Sequence, residues 1–419
     1  MSSTMSNTKL FAGIDASQKS NQCCLLDHNG EVIKEVDATN NVTGAHELEA
    51  VLARHAQELE SKELKVATEA TSLYDFHILE FLSESQLLAN HNLKLYRFNP
   101  RPVKAFKASL KIMNKTDPED AYAIAEYLRF RGEKAEEYRA KMEHLPLQRL
   151  TRFRWHLVQQ LVRERNYFLS QLFLKFSAFG KKEPFSDTFG ATASAVIQEF
   201  MTPDAIANAS DEELVDFVVK HGKNRFSDPE EIVSKLKYVA KESYRLSPAL
   251  AENVHRILCL SLANIRTLKA SLQELNQTIH KQLSAFAITL TSIKGIGDVY
   301  AAGIFAEIGD INCFPSEAQI ARYAGLVWKR HQSGNFQAQT TRLDKQSNAY
   351  LRYYLVEAAD SLRRHNPEFR AYYQKKYAEV TEHQHKRALV LTARKLVRLV
   401  DALLRTNRLY QPKMPVESA

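Results

Sequence analysis

At 419 residues the chain is too long for one ordinary core and suits two or three domains, while 44% hydrophobic and 25% charged residues exclude a chiefly disordered protein. The formal net charge of +8 favours a polyanionic partner, and it is unevenly spread: residues 321–412 carry 18 Lys and Arg against 7 Asp and Glu, whereas residues 181–235 carry 6 against 11. A bound polyanion is therefore expected on the C-terminal third, with the middle of the chain facing solvent or another protein.

Residues 9–16 are an apolar stretch ending near an acid, and residues 22–27 are another. His28-Asn29-Gly30 then supplies a hairpin turn, because Asn-Gly tolerates positive φ, and residues 31–37 alternate as a third strand. Thr43 is placed to cap a helix running to about residue 60. Residues 64–68 form a short strand, 74–85 a helix and 93–98 a further strand. The order β-β-β-α-β-α-β-α is that of a ribonuclease H-like mixed sheet, which predicts an α/β domain over residues 1–140.

Between residues 146 and 176 the apolar positions Leu150, Phe153, Leu157, Leu161, Phe168, Leu172 and Phe176 recur mostly three or four apart, as on one face of a long helix. Val254, Leu258, Leu262, Ile265, Leu268, Leu272, Leu275 and Ile279 mark a second, roughly 50 Å long at 1.5 Å per residue. The two are expected to pair as an antiparallel coiled-coil arm over residues 141–288. Pro184, Pro203, Pro229 and acidic clusters mark a small helical insertion at about 180–247. Residues 289–419 form a mainly helical third domain.

Phosphodiester chemistry assisted by one or two metal ions needs carboxylates converging on a hard cation, because Mg²⁺ prefers oxygen ligands. Asp15 ends the first strand, and Glu69 ends a strand that lies beside it in a ribonuclease H-like sheet. Asp117 and Asp120 are spaced i and i+3 at a helix start marked by Pro118, so both can point the same way. These four acids form the candidate site for Mg²⁺, with Mn²⁺ as an alternative. Glu119 is expected to face solvent.

In the C-terminal third, Gly295-Ile296-Gly297 precedes a helical run, the pattern of a helix-hairpin-helix whose glycines let backbone N–H groups approach a phosphate; Lys294 adds a cation. Ser333 follows in an exposed basic loop, Lys329-Arg330-His331-Gln332-Ser333-Gly334-Asn335, with Arg342, Lys345 and Asn348 after it. Cations such as Arg330, Arg342 and Lys345 favour a serine alkoxide and offset charge on the non-bridging phosphate oxygens. By itself a Ser-Gly pair is an ordinary turn.

Together these motifs resemble the DEDD-type insertion-sequence transposases, the family of bridge-RNA-guided serine recombinases. The resemblance covers most of the chain and is carried by Gly13-Ile14-Asp15, Thr68-Glu69-Ala70, Lys115-Thr116-Asp117-Pro118-Glu119-Asp120, Ala306-Glu307-Ile308-Gly309-Asp310, Tyr323-Ala324-Gly325-Leu326 and Gln332-Ser333-Gly334. It implies a RuvC-like domain whose acids are Asp15, Glu69, Asp117 and Asp120, an oligomerising arm and a nucleophile at Ser333. It further implies donor and target DNA as partners, a noncoding guide RNA, and a homodimer or homotetramer in which one subunit's acids meet another's serine. Two departures stand out. Lys294 replaces the proline usual before Gly-Ile-Gly, and Lys345-Gln346-Ser347-Asn348 replaces Lys-x-Gly-Asn, which makes Ser347 a second, lower-ranked nucleophile.

Cys23, Cys24, Cys259 and Cys313 show no metal-binding spacing and read as reduced. With no secretory pattern and no membrane-length apolar run, a cytoplasmic location without a membrane partner is expected. No Walker-type phosphate loop is present, in keeping with recombination that needs no ATP. Two alternatives remain open from the residues alone: a metal-dependent endonuclease or Holliday-junction resolvase, and a non-catalytic nucleic-acid scaffold.

Overall fold

The computed structural model describes residues 9–70, 73–110, 116–134, 137–138, 143–328, 332–333, 336–337 and 347–412. It divides into two compact units, Met1–Lys141 and Met142–Ala419.

In the first unit, β1 (Lys9–Ala16), β2 (Ser20–Leu26) and β3 (Val32–Thr39) form an antiparallel meander, followed by α1 (Val42–Glu58). Then come β4 (Glu63–Glu69), α2 (Phe76–Ser83), α3 (Gln86–Ala89), β5 (Lys94–Phe98), α4 (Pro100–Ser109) and α5 (Asp117–Arg131). The sheet runs β3-β2-β1-β4-β5, with β4 parallel to both β1 and β5, so the expected RuvC-like mixed sheet is present. Side chains alternate across it. Leu10, Ala12, Ile14, Cys23, Leu25, Leu64 and Val66 share a core with Leu48 and Leu52 of α1 and Leu79 of α2, whereas Phe11, Cys24 and Ala67 pack with Ala121, Ile124 and Ala125 of α5.

The Asn29-Gly30 turn forms with Gly30 at φ +93°, and Asp27 Oδ1 accepts from the Asn29 and Glu31 amides, each at 2.8 Å. Two boundaries differ from expectation because a nearby side chain caps better. Asn41, not Thr43, caps α1 by accepting from the Gly44 amide at 2.9 Å. Ser85 does not end α2 but opens α3, accepting from the Leu88 amide at 3.1 Å.

The contact that fixes this unit is between β1 and α5. A Cβ on Gly13 would lie 2.2 Å from the Ala121 carbonyl oxygen and 2.3 Å from the Ala125 nitrogen, so only glycine lets helix backbone rest on strand backbone.

The second unit is built on α6 (Leu145–Lys175). The small helices α7 (Phe179–Lys182), α8 (Ala191–Glu199), α9 (Pro203–Asn208), α10 (Asp211–Gly222) and α11 (Pro229–Glu242) follow, and α12 (Pro248–Leu283) completes the arm. Arg154 bonds Asn276, Glu164 bonds Ser261 and Lys175 meets His255, so numbers rise along α6 as they fall along α12 and the pair is antiparallel. The acids of the insertion have a local cause. Asp204, Asp211, Glu212, Glu213, Glu230 and Glu231 lie in first helical turns, where the helix dipole favours negative charge, and Asp228 caps α11.

After α12 come α13 (Asp298–Ile308), α14 (Glu317–Tyr323), the two-residue strands β6 (Gln332–Ser333) and β7 (Phe336–Gln337), α15 (Ala349–His365), α16 (Pro367–Ala378) and α17 (Gln384–Thr406). The far half of the arm shares a core with the insertion. The near half, through Leu147, Leu157, Leu275 and Ile279, shares one with α13, α15 and α17. No helix among the described residues is long and apolar enough to cross a membrane.

Gly13→Val should lift α5 from β1 and cost about 3 kcal/mol or more, since overpacking against backbone cannot be relieved by a rotamer change. The expected result is a lower thermal midpoint for the first unit in calorimetry. A wild-type midpoint would contradict this packing account.

Candidate active site

Asp15 and Glu69 stand at the C-terminal ends of adjacent parallel strands. The register pairs Ile14 with Thr68, so the two acids are the next residues on each strand, and both belong to the face that Gly13 and Ala67 turn toward α5. Asp120 lies in the first turn of that helix. Lys107 of α4, which sequence reasoning passed over, places its ammonium 2.6 Å from Asp120 Oδ1.

Glu69 reports how crowded the site is. Burial pushes its carboxyl up to about 7, the charges of Asp15 and Asp120 push the same way, and Lys107 opposes them. Three carboxylates thus crowd together, with Lys107 acting on Glu69 and Asp120, and a divalent cation would relieve the remaining repulsion. Asp15, Glu69 and Asp120 are half-buried. Among the described residues, no three His, Cys, Asp or Glu side chains are arranged to hold a metal ion as they stand.

Asp117 opens the same helix. It is the exposed first residue of α5, one position before Pro118. Glu119 corrects its expectation of exposure: it is half-buried, and its Oε2 is buried with no hydrogen-bond partner among the described residues. The later buried positions Ala123 and Glu126 were the signal that this side of α5 is covered. Asp75 is structural, held by Arg97 at 2.5 and 2.8 Å and by the Thr68 hydroxyl at 3.1 Å.

In the second unit a 3₁₀ turn (Leu290–Ser292) leads through Gly295 to α13. Gly295 has φ +109° and lies under α15, its Cβ position 3.3 Å from Leu362 and His365 atoms; its role there is conformational. Gly297 is the open one. It is exposed at the N-cap of α13, and a Cβ there would meet nothing within 4 Å. Lys294 is exposed beside it, and Asp298 in the first turn is 2.7 Å from His280 Nδ1.

Ser333 is the last residue of β6 and pairs across the ladder with Phe336. Arg330, His331, Arg342 and Lys345 lie outside the described residues. Ser347 is half-buried and its Oγ accepts from Arg352 Nη1 at 2.8 Å.

Comparison with known proteins covers both halves. Residues 12–176 match a family of DEDD IS110-type transposases, and residues 287–374 match the transposase IS116/IS110/IS902 family. The chain is 24% identical to an uncharacterized protein of insertion element IS116 from Streptomyces clavuligerus, across 97% of this chain and 98% of that one. Over 18% of this chain and 20% of the other it is 36% identical to the transposase for insertion sequence element IS1111A of Coxiella burnetii. Among solved structures, Thermus thermophilus RuvC in complex with a Holliday junction substrate matches 31% of this chain and 99% of its own, at 12% identity and a TM-score of 0.24. The two family matches and the end-to-end relative establish that the chain belongs to the IS110/IS116 family of transposases, enzymes that cut and rejoin DNA.

Proposed function

We propose that this transposase breaks and rejoins DNA through a transient phosphoserine link at Ser333, assisted by Mg²⁺ or Mn²⁺ at the acidic site. A noncoding RNA pairs with donor and target DNA, and the enzyme works as a homodimer or homotetramer. The observation that carries the metal part is the crowding of Asp15 and Asp120 upon Glu69, which holds its carboxyl well above the ordinary range. Those three residues would hold the cation, with Asp117 as the fourth ligand that the family resemblance implies; a bound cation supplies positive charge to the phosphate oxygens.

In the serine step Ser333 Oγ attacks phosphorus, the P–Oγ bond forms as the P–O bond to one deoxyribose breaks, and the departing oxygen takes up a proton. Rejoining reverses this: a deoxyribose hydroxyl attacks the same phosphorus and Ser333 leaves. The ester energy is kept in the covalent link, so no nucleotide cofactor is needed. Lys294 and the open Gly297 at the start of α13 fit a DNA backbone contact, with Gly295 shaping the turn and Arg330, Arg342 and Lys345 supplying cations around the serine. We further propose residues 141–288 and 289–419 as separate functional divisions, arm and serine domain. Exposed apolar residues along α6, among them Val162, Leu169 and Phe173, suit an arm that oligomerises.

The crowded carboxylates also suit a metal-dependent nuclease in which water is the nucleophile. A nicked substrate that traps covalent intermediates separates the two readings. Wild type and Asp15→Asn are compared with Ser333→Ala on denaturing gels; an adduct that wild type forms and Ser333→Ala does not supports the serine. Absence of adduct with wild type, or its persistence in Ser333→Ala, leaves only the nuclease.

Glu69 generates a pH prediction with a fixed sign. Its pKa is raised above the ordinary 4.5, so the folded protein keeps a proton that the unfolded chain has lost between about 4.5 and 7. The associated stability is fully present below 4.5 and gone above about 7. In chelator, Glu69→Gln should melt above wild type at pH 8, with the gap closing by pH 5. Added Mg²⁺ should raise the melting temperature of wild type but not of this variant. Lys107→Ala should move the wild-type pH midpoint upward, because the opposing charge is gone; an unchanged midpoint would mean that Lys107 does not act on Glu69.

A further inference from the structure

Glu307, in the second unit, is a wholly buried carboxylate. Arg152 on α6 donates to it twice, from Nε to Oε1 at 2.7 Å and from Nη2 to Oε2 at 2.9 Å, and Asn348 Nδ2 donates to Oε2 at 2.7 Å. Asn348 is engaged at every polar side-chain position. Its Nδ2 also donates to the Tyr323 hydroxyl at 3.0 Å, and its Oδ1 accepts from the Tyr350 and Leu351 amides at 3.0 and 2.9 Å, capping α15. Its own amide donates to the Tyr323 carbonyl at 2.8 Å.

These bonds close the base of one segment. Tyr323 ends α14, Asn348 precedes α15, and Ser333 lies in the stretch between them. Next to Asn348, Ser347 Oγ is held by Arg352; near Tyr323, the Leu326 carbonyl is held by Arg394 Nη1 at 3.2 Å. Arg152 also lies over the Tyr350 ring at 4.7 Å, so the arm helix, α13 and both ends of the serine segment meet at one point.

Resting on the serine reading above, we propose that Glu307, Arg152 and Asn348 are positioning residues that clamp the base of the Ser333 segment and register it to the arm, so that the hydroxyl meets the scissile phosphate in line. A buried ion pair adds little stability over apolar residues of the same volume, and its use is to fix geometry. A loosened clamp leaves DNA affinity intact and slows the attack, because a displacement of about 1 Å at a nucleophile costs on the order of 100-fold in rate.

The test separates clamping from helix capping. Asn348→Asp retains a cap, since aspartate caps as well as asparagine, but sets a carboxylate against Glu307. The double variant Glu307→Gln with Asn348→Asp restores one charge opposite Arg152 and one donor between positions 307 and 348. Single-turnover adduct formation on the nicked substrate, DNA affinity and helix content are measured for each in the full-length protein. We expect Asn348→Asp to form adduct about 100-fold more slowly with DNA affinity within twofold of wild type, and the double variant to recover most of that loss. A wild-type rate for Asn348→Asp, or a double variant no faster than the single one, overturns the clamp and leaves the serine reading standing. Absence of adduct with wild type overturns the serine reading and the clamp with it.

Discussion

Everything at the acidic site depends on how closely α5 approaches β1. Helix backbone can touch strand backbone only where no side chain intervenes, and Gly13, with Ala121 and Ala125 opposite, provides that place. The approach fixes the height of the helix start over the strand ends, and with it the distance from Asp120 to Asp15 and Glu69. A bulkier residue at position 13 would separate the acids and leave each an ordinary surface carboxylate. The electrostatic strain felt by Glu69 therefore follows from a steric fact two residues before Asp15. That strain is offset in part by Lys107, whose ammonium stands where positive charge is wanted.

The strands, their order and the placing of Asp15 and Glu69 at strand ends were legible because each has a local signature: alternation, an Asn-Gly turn, an acid closing an apolar run. The antiparallel arm was legible from spacing alone. Other features were not, because their cause lies far away in sequence. Glu119 was expected in solvent since its own turn of helix suggests exposure; the covering of that side shows only at Ala123 and Glu126, further along α5. Asn41 outcompeted Thr43 as a cap because Gly44 packs tightly on Thr39, setting where the helix begins. Ser333 stood out only through the family resemblance, since Ser-Gly is a common turn. Arg152, Glu307 and Asn348 are invisible to any local rule, being 155 and 41 residues apart along the chain.

The charge asymmetry of the sequence has two origins of different kinds. In the insertion, acids are placed by the needs of short helices, whose first turns favour negative charge; the excess there is the sum of several local solutions and requires no partner. The basic C-terminal third has no such account. Some of its cations are consumed internally, as Arg363 and Arg364 are by Asp360 and Arg405 by Asp401, yet 18 cations face 7 acids, so the acids cannot neutralise them all. An uncompensated positive field of that extent is what a phosphate backbone neutralises, and it surrounds the serine segment in sequence.

On the proposed mechanism, carboxylates and a nucleophilic serine make opposite electrostatic demands, which is a reason for placing them in different units. A carboxylate cluster that holds a cation repels phosphate until the cation is present, whereas a serine that attacks phosphate needs positive charge at all times. Built side by side without a metal, the acids would draw off the cations that a serine nucleophile would use. Glu307 shows how the second unit admits a negative charge without that consequence. Its carboxylate is fully buried and saturated by Arg152 and Asn348, so it adds no exposed negative charge there.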